Sequence, residues 1–241
     1  MPLLQVERLT KSFGGIRALS GVSFAIEPGE VLGIMGPNGS GKTTLFNLIA
    51  GALAPDAGSI RLRGEEIGGL SPHRICGKGI ARTFQLVRPF PTLSVLDNVR
   101  VGQLYGRAPE GTDARKLLAL VGLDAKGRAR AADLTLVERK RLELARALAT
   151  SPDLLLLDEY LGGLNPAETA SAMALIRTLA TQGMTVLMVE HIVWALMALS
   201  GRIIVLSASE KIAEGPPQAV AADPAVLDAY LGGDPGSWMR A

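Results

Sequence analysis

Residues 36–43 read Gly36-Pro37-Asn38-Gly39-Ser40-Gly41-Lys42-Thr43, a glycine-rich loop with the GxxxxGK[ST] spacing. Glycines so spaced let the backbone wrap inward, so that successive N–H groups and a helix N-terminus face an anion. Lys42 then brings a positive charge to β- and γ-phosphates, and the Thr43 hydroxyl offers a ligand for Mg²⁺. A second element is Leu154-Leu155-Leu156-Leu157-Asp158-Glu159, a continuous apolar run ending in two acids. Such a run has the look of a strand buried on both faces. An acid at its end can hold Mg²⁺ beside a bound phosphate, and a second acid can polarise an attacking water. The two motifs together point to hydrolytic chemistry on a phosphate chain.

The elements that must position these groups alternate between strand and helix. β-rich runs at residues 3–9, 18–26 and 31–35 are separated by the Gly14-Gly15 and Pro28-Gly29 turns. A helix follows at 42–50, closed by Gly51, and strands at 59–63 and 80–85 bracket a segment punctuated by Gly and Pro. From 93 to 149 the apolar spacing is helical, as in Leu117-Leu118-Leu120-Val121 and Leu142-Ala145-Leu148. Strand 154–157, helix 166–182, strand 185–189, helix 192–200 and strand 202–207 continue the alternation, and the tail 232–241 reads as frayed. This is the arithmetic of an α/β domain with a helical insertion near its middle.

Composition excludes several classes. The chain has 241 residues, 48% hydrophobic and 20% charged, so it is not disordered. Aromatics at 4% argue against a β-sandwich core or a base-stacking surface, and a net charge of +2 is too balanced for a DNA-binding footprint. No nucleic-acid partner is expected. The lone Cys76 cannot form an intrachain disulfide, which fits a reducing compartment. No secretory signal is read at the start. The most apolar stretch, 185–206, is interrupted by Glu190, His191, Gly201 and Arg202, so it reads as buried elements rather than a bilayer span. The expectation is a cytoplasmic chain that reaches a membrane only through a partner.

With both motifs placed, residues 3–232 resemble an ABC-transporter ATPase subunit. The resemblance implies a P-loop NTPase core with an antiparallel β subdomain and an inserted α-helical subdomain. It divides the chain into core segments 1–87 and 151–231, a helical signature subdomain at 88–150 and a flexible tail at 232–241. It implies ATP and Mg²⁺ as cofactors and head-to-tail dimers, as homo- or heterodimer. Phe13, in Lys11-Ser12-Phe13-Gly14-Gly15, stands where the family stacks an aromatic on adenine; a core aromatic is the alternative. Gln85, in Arg82-Thr83-Phe84-Gln85, falls at the family's Q-loop, which touches Mg²⁺, and His191 at the switch histidine that contacts the γ-phosphate. The resemblance thus makes Glu159, His191 and Gln85 catalytic and Thr43, Gln85 and Asp158 metal ligands. Gly36, Pro37, Asn38, Gly39, Ser40, Gly41, Lys42, Thr43 and Thr44 hold phosphates, and Thr135, Val137 and Glu138 reach the partner's nucleotide in trans. Gly163-Leu164-Asn165-Pro166 looks like the loop that crosses to the opposite subunit.

The chain also departs from the family. Its signature segment, usually Leu-Ser-Gly-Gly-Gln, reads Leu134-Thr135-Leu136-Val137-Glu138, while the following Arg139 to Leu148 matches well. Thr135 and Glu138 form a T-x-x-E capping box, whereas Leu136 and Val137 replace glycines whose bare backbone would approach the partner's phosphate. Tyr160 stands where a proline follows the acid pair, and Ile192 where aspartate often follows the histidine. The Arg82–Gln85 and Gly163–Pro166 strings and Ala229-Tyr230-Leu231-Gly232 look like the ATPases of branched-chain (hydrophobic) amino-acid importers. That implies integral membrane permease subunits, a second ATPase subunit and, indirectly, a periplasmic solute-binding protein, with the chain peripheral on the inner face of the cell membrane. A lipopolysaccharide-export-type ATPase or a nucleotide-dependent regulatory clamp with weak hydrolysis are the alternatives.

Overall fold

The computed structural model describes residues 1–83, 89–107, 109 and 113–231. In chain order the elements are β1 (Leu4–Phe13), β2 (Ile16–Ile26), β3 (Val31–Met35), α1 (Lys42–Ile49), β4 (Ala57–Leu62), β5 (Glu65–Glu66), α2 (Pro72–Lys78) and β6 (Ile80–Arg82). Then come α3 (Val95–Tyr105), α4 (Ala114–Leu120), α5 (Leu136–Ala149), β7 (Leu154–Asp158), α6 (Pro166–Thr181), β8 (Thr185–Val189) and α7 (Val193–Leu199). The chain closes with β9 (Arg202–Ser207), β10 (Glu210–Gly215), α8 (Pro217–Ala221) and α9 (Pro224–Leu231).

Every residue of β3, β7 and β8 is buried, as strands covered on both faces must be. They lie in a six-stranded sheet of order β10-β9-β3-β8-β7-β6, in which only β10 pairs antiparallel. The period-two alternation of a strand divides their side chains between two cores. Leu32, Ile34, Leu154, Leu156, Leu187, Val189, Ile204 and Leu206 pack with Leu45, Phe46, Leu48 and Ile49 of α1 and with Leu4, Val6, Leu9 and Ile60. The last four come from a second, antiparallel sheet of order β2-β1-β4-β5. Val31, Met35, Leu155, Leu157, Val186, Met188, Ile203 and Val205 face the other way, onto α5, α6 and α7. Helix α1 is thus sandwiched between two sheets, and the phosphate loop at its start is held by both.

Among the described residues, the region expected to be helical from 93 to 149 holds three α-helices, with short 3-10 turns at Asp124–Lys126 and Ala131–Asp133 before α5. Helices α3 and α5 approach closely at Gly102, where an added Cβ would lie 2.4 Å from the Arg146 carbonyl oxygen and 3.0 Å from the Ala149 Cβ. α5 begins at the expected capping box: the Glu138 N–H donates to Thr135 Oγ1 and the Thr135 N–H to Glu138 Oε2. α6 has an equivalent box between Asn165 and Glu168. Strands β1, β2 and β4 begin earlier or run longer than periodicity suggested, because their outer residues pair across the sheet while half exposed. Strand β6 ends at Arg82, short of the expected 85; residues 84–88 and the tail 232–241 lie outside the described residues. Helix α2, strand β10 and helices α8 and α9 were not anticipated. α2 has the start signals Ser71 and Pro72, but only Ile75 is buried in it, so its apolar pattern is faint.

Because the α3–α5 contact is set by a missing side chain, Gly102→Val should push the helices apart. The expected loss is about 1–3 kcal/mol, read as a lower urea midpoint for unfolding. An unchanged midpoint would show that the crossing adjusts freely.

Candidate active site

Strand β3 delivers the chain to the phosphate loop at Gly36. A Cβ there would sit 2.1 Å from the Leu206 carbonyl oxygen of β9, and one at Gly41 would sit 2.4 Å from the Ala18 oxygen of β2. Gly41 also takes φ 104°, open only to glycine at low cost. Neighbouring backbone therefore dictates both glycines. Helix α1 begins at Lys42 with no side-chain cap on its first N–H groups, which leaves donors and the positive end of the dipole facing the loop. Ser40 Oγ is buried and has no hydrogen-bond partner among the described residues. The Lys42 ammonium folds over the loop and donates to the carbonyls of Gly36 at 2.7 Å and Pro37 at 2.9 Å. Burial lowers its pKa, and the Glu159 charge partly restores it. An orphaned hydroxyl, uncapped N–H groups and a cradle with no room for Cβ atoms fit a bound phosphate chain.

The parallel register sets the acids beside this loop: Ile34 of β3 pairs with Val189 of β8, and Val189 with Asp158 of β7. Asp158 is buried and receives the Arg82 guanidinium, whose Nη2 is 2.6 Å from Oδ2; Arg82 Nη1 also donates to Asn47 Oδ1 at 2.7 Å. Glu159 has φ 50°, a left-handed conformation that costs a non-glycine residue about 1–3 kcal/mol. The strain turns the chain sharply and aims the carboxylate outward, where Oε1 lies 2.6 Å from Nε2 of His191, itself just past the end of β8. The structure therefore brings Lys42, Asp158, Glu159 and His191 to one edge of the sheet. Asp158 and Thr43 supply oxygen donors of the hard type that suits Mg²⁺, and both line one cavity with Arg82.

The other expected residues fall in three places. Phe13 ends β1 and is 48% exposed, with the Lys11 ammonium 5.6 Å from its ring centre, so the core-aromatic alternative does not hold. Gln85 lies outside the described residues. Thr135, Val137 and Glu138 sit at the start of α5, where Lys126 pairs with Glu138 at 2.6 Å and holds its carboxyl below the ordinary range. Leu136 beside them is 51% exposed and overhangs the turn at Gly163.

Several residues of the site escaped the sequence reading. Arg82 and Asn47 are one pair. Tyr230 of α9 is another case: its hydroxyl hydrogen-bonds the Gly36 backbone, and burial pushes its pKa up. Lys140 and Glu190 are both buried behind Glu159. The Lys140 ammonium donates to the Tyr160 carbonyl at 2.8 Å, and the Leu161 N–H donates to Glu190 Oε1 at 2.9 Å. No motif announces them. Lys140 reads as one cation among Arg139, Lys140 and Arg141, and Glu190 as an interruption in an apolar stretch.

Burial pushes the Glu190 carboxyl up to about 7; the Leu161 N–H and Lys140 oppose the rise, and Glu159 and Asp158 add to it. A raised carboxyl pKa means that the folded state binds a proton the unfolded state has released. The stabilisation is full below about pH 4.5 and is lost as pH rises through about 7. Since each pKa unit corresponds to about 1.4 kcal/mol, the parent should lose about 3 kcal/mol relative to Glu190→Gln between those limits. Urea unfolding of both proteins across that range checks it, and parallel pH profiles would contradict it.

Comparison with known proteins agrees with this geometry. The ABC transporter family matches residues 19–162, and the C-terminal segment of the branched-chain amino acid ATP-binding cassette transporters matches residues 210–235. The chain is 39% identical to the high-affinity branched-chain amino acid transport ATP-binding protein BraF of Pseudomonas aeruginosa, over 96% of this chain and 98% of that one. It is 36% identical to the LivG protein of Escherichia coli K12 over the same shares. Among solved structures, the ADP conformation of the ABC-transporter cassette MJ1267 superposes with a TM-score of 0.86 at 30% identity, covering 96% of this chain and 99% of that one. The dimeric cassette MJ0796 gives 0.79 at 27% identity, covering 89% and 98%. A loop built for phosphate, acids at the adjoining strand ends and relatives matched nearly end to end place the chain in the ABC-transporter ATPase family, as a nucleotide-binding ATP hydrolase.

Proposed function

We propose that the chain is the ATP-hydrolysing subunit of an importer for branched-chain or other hydrophobic amino acids, held on the inner face of the membrane by permease subunits. The observation that carries this reading is the C-terminal segment. Residues 210–235 are the part matched by the branched-chain transporters, and α9 within it sets Tyr230 against Gly36 of the phosphate loop. The names of the relatives, BraF and LivG, support the same class of solute. No helix among the described residues is long and apolar enough to cross a membrane, so the chain needs a membrane partner to energise transport.

In this reading Gly36 to Thr44 and the Lys42 ammonium hold the triphosphate, and Phe13 packs on the base. Thr43, Gln85 and Asp158 hold Mg²⁺, which when bound neutralises phosphate charge and orients the β- and γ-oxygens. Arg82, with Nη2 2.6 Å from Asp158 Oδ2, fixes that carboxylate in direction. Glu159 accepts a proton from the attacking water, and His191, with its proton on Nε2, donates to Glu159 Oε1 and holds that carboxylate in position. Thr135, Val137 and Glu138 of a second ATPase subunit close over the nucleotide from the opposite side. The core segments 1–87 and 151–231 carry the hydrolytic groups, and 88–150 carries the signature helix.

The permease contact belongs at the cavity of about 800 Å³ between α2, β6, α3 and α5, lined by Ile75, Val101, Tyr105 and Ala147. Leu104 and Tyr105 at the end of α3 are exposed, and Phe90 lies over the Arg146 guanidinium that lines the same cavity. An apolar recess with exposed aromatic groups suits a short amphipathic helix of a membrane subunit. Thr43 and Asp158 line its inner end, so a helix seated there would act close to the hydrolytic groups.

Lys42→Ala should lose measurable ATP binding by calorimetry, because it removes the ammonium that compensates the phosphates. Glu159→Gln should keep ATP bound while hydrolysis falls about 10²- to 10⁴-fold; a rate above a third of the parent would place the base elsewhere. Coexpression with permease and binding-protein subunits, followed by uptake of leucine, isoleucine and valine into proteoliposomes, tests the transport reading. Uptake stimulated by none of them, but by another solute, would overturn the assigned substrate class.

A further inference from the structure

The strained turn at Glu159 needs something to hold it, and five hydrogen bonds converge there. The Glu159 N–H donates to the Val189 carbonyl of β8 at 2.9 Å, and the Gly162 N–H donates to the Glu159 carbonyl at 3.1 Å. From α5, the Lys140 ammonium donates to the Tyr160 carbonyl at 2.8 Å and reaches the Glu159 carbonyl at 3.4 Å. From the step after β8, Glu190 Oε1 accepts the Leu161 N–H at 2.9 Å. Glu190 is 3% exposed and Lys140 5%, so neither bond competes with water. Glu190 immediately precedes His191, whose Nε2 is 2.6 Å from Glu159 Oε1. One dipeptide, Glu190-His191, therefore grips the turn at two points: the backbone of Leu161 from inside and the Glu159 carboxylate from outside.

We infer that Glu190 is a positioning residue for hydrolysis: it accepts the Leu161 N–H and, with Lys140, clamps the turn that aims Glu159 at His191. The clamp spans three elements distant in sequence. Because Lys140 lies on α5, which begins at Thr135, any shift of that helix is transmitted to the backbone of the hydrolytic acid. The role required of Glu190 is hydrogen-bond acceptance rather than charge. This inference rests on the reading of Glu159 as the base.

The test compares Glu190→Gln, which keeps an acceptor of the same length, with Glu190→Met, which keeps the length and loses the acceptor. ATP affinity is measured by calorimetry, and kcat and KM by phosphate release from the full chain. Glu190→Met should lower kcat at least tenfold with ATP affinity within threefold of the parent, and Glu190→Gln should restore kcat to within threefold. Should Glu190→Met not fold, Lys140→Met loosens the clamp from its other side and should give the same loss in kcat with affinity retained. Parent-like kcat in Glu190→Met, an equal loss in both Glu190 variants, or a loss of ATP affinity in step with kcat overturns the inference. Glu159→Gln measured alongside separates the two claims. If it is inactive while Glu190→Met turns over normally, only the clamp fails; if it hydrolyses normally, the base assignment fails first.

Discussion

The parallel register of β3, β8 and β7 is the constraint on which the rest depends. Parallel neighbours end on the same side of a sheet, so one edge receives the phosphate loop after β3, the acid pair after β7 and Glu190-His191 after β8. This is the crevice at strand carboxyl ends where α/β proteins bind ligands. Parallel pairing requires crossover connections, and those connections supply the helices that cover both faces. The all-apolar strands that make the sheet stable are thus the same strands that make it useful. Polar chemistry can begin only where each strand leaves the core, and it does so within one or two residues: Gly36, Asp158-Glu159 and Glu190-His191.

What lies behind that edge is more charged than an apolar core would suggest. Lys42, Arg82, Lys140, Asp158 and Glu190 are all buried or nearly so. Isolated, any of them would be costly, and burial does depress the Lys42 and Lys140 ammonium pKa and raise that of the Glu190 carboxyl. They persist because each has a directed partner: loop carbonyls for Lys42, Asp158 and Asn47 for Arg82, Tyr160 for Lys140 and Leu161 for Glu190. Hydrogen bonds of this kind to backbone fix positions more sharply than apolar packing, which tolerates sliding. A site that must hold a carboxylate in a strained conformation gains from that rigidity.

The groups that were legible in the sequence are those whose partners are near in sequence. The phosphate loop is contiguous, the acid pair ends its own apolar run, and the capping box joins Thr135 to Glu138 across a single turn. The strand and helix alternation was legible for the same reason, since periodicity is a local signal. Arg82 and Asp158 are 76 positions apart, and Leu161 and Glu190 are 29 apart. Only the strand order brings those partners together, and no spacing rule encodes it. Tyr230 shows the limit clearly: its neighbourhood helped to narrow the family, yet nothing in Ala229-Tyr230-Leu231-Gly232 says that the hydroxyl reaches Gly36. Likewise α2 and β10 bury too few residues to leave a pattern.

The altered segment at Thr135 to Glu138 can be understood in the same terms. A helix start needs its first N–H groups satisfied, and here the Thr135 and Glu138 side chains do this within the chain. Lys126 then neutralises Glu138, so the start of α5 carries no uncompensated negative charge toward a neighbour. Glycines at 136 and 137 are consequently unnecessary for the helix itself, and Leu136 projects into solvent beside Gly163 rather than into the core. An exposed leucine at this point presents apolar surface where glycines would present bare backbone. The change therefore leaves a half-exposed apolar side chain at the start of α5 in place of bare backbone. Lys140, one turn further along the same helix, donates to the Tyr160 carbonyl and so joins the start of α5 to the turn at Glu159.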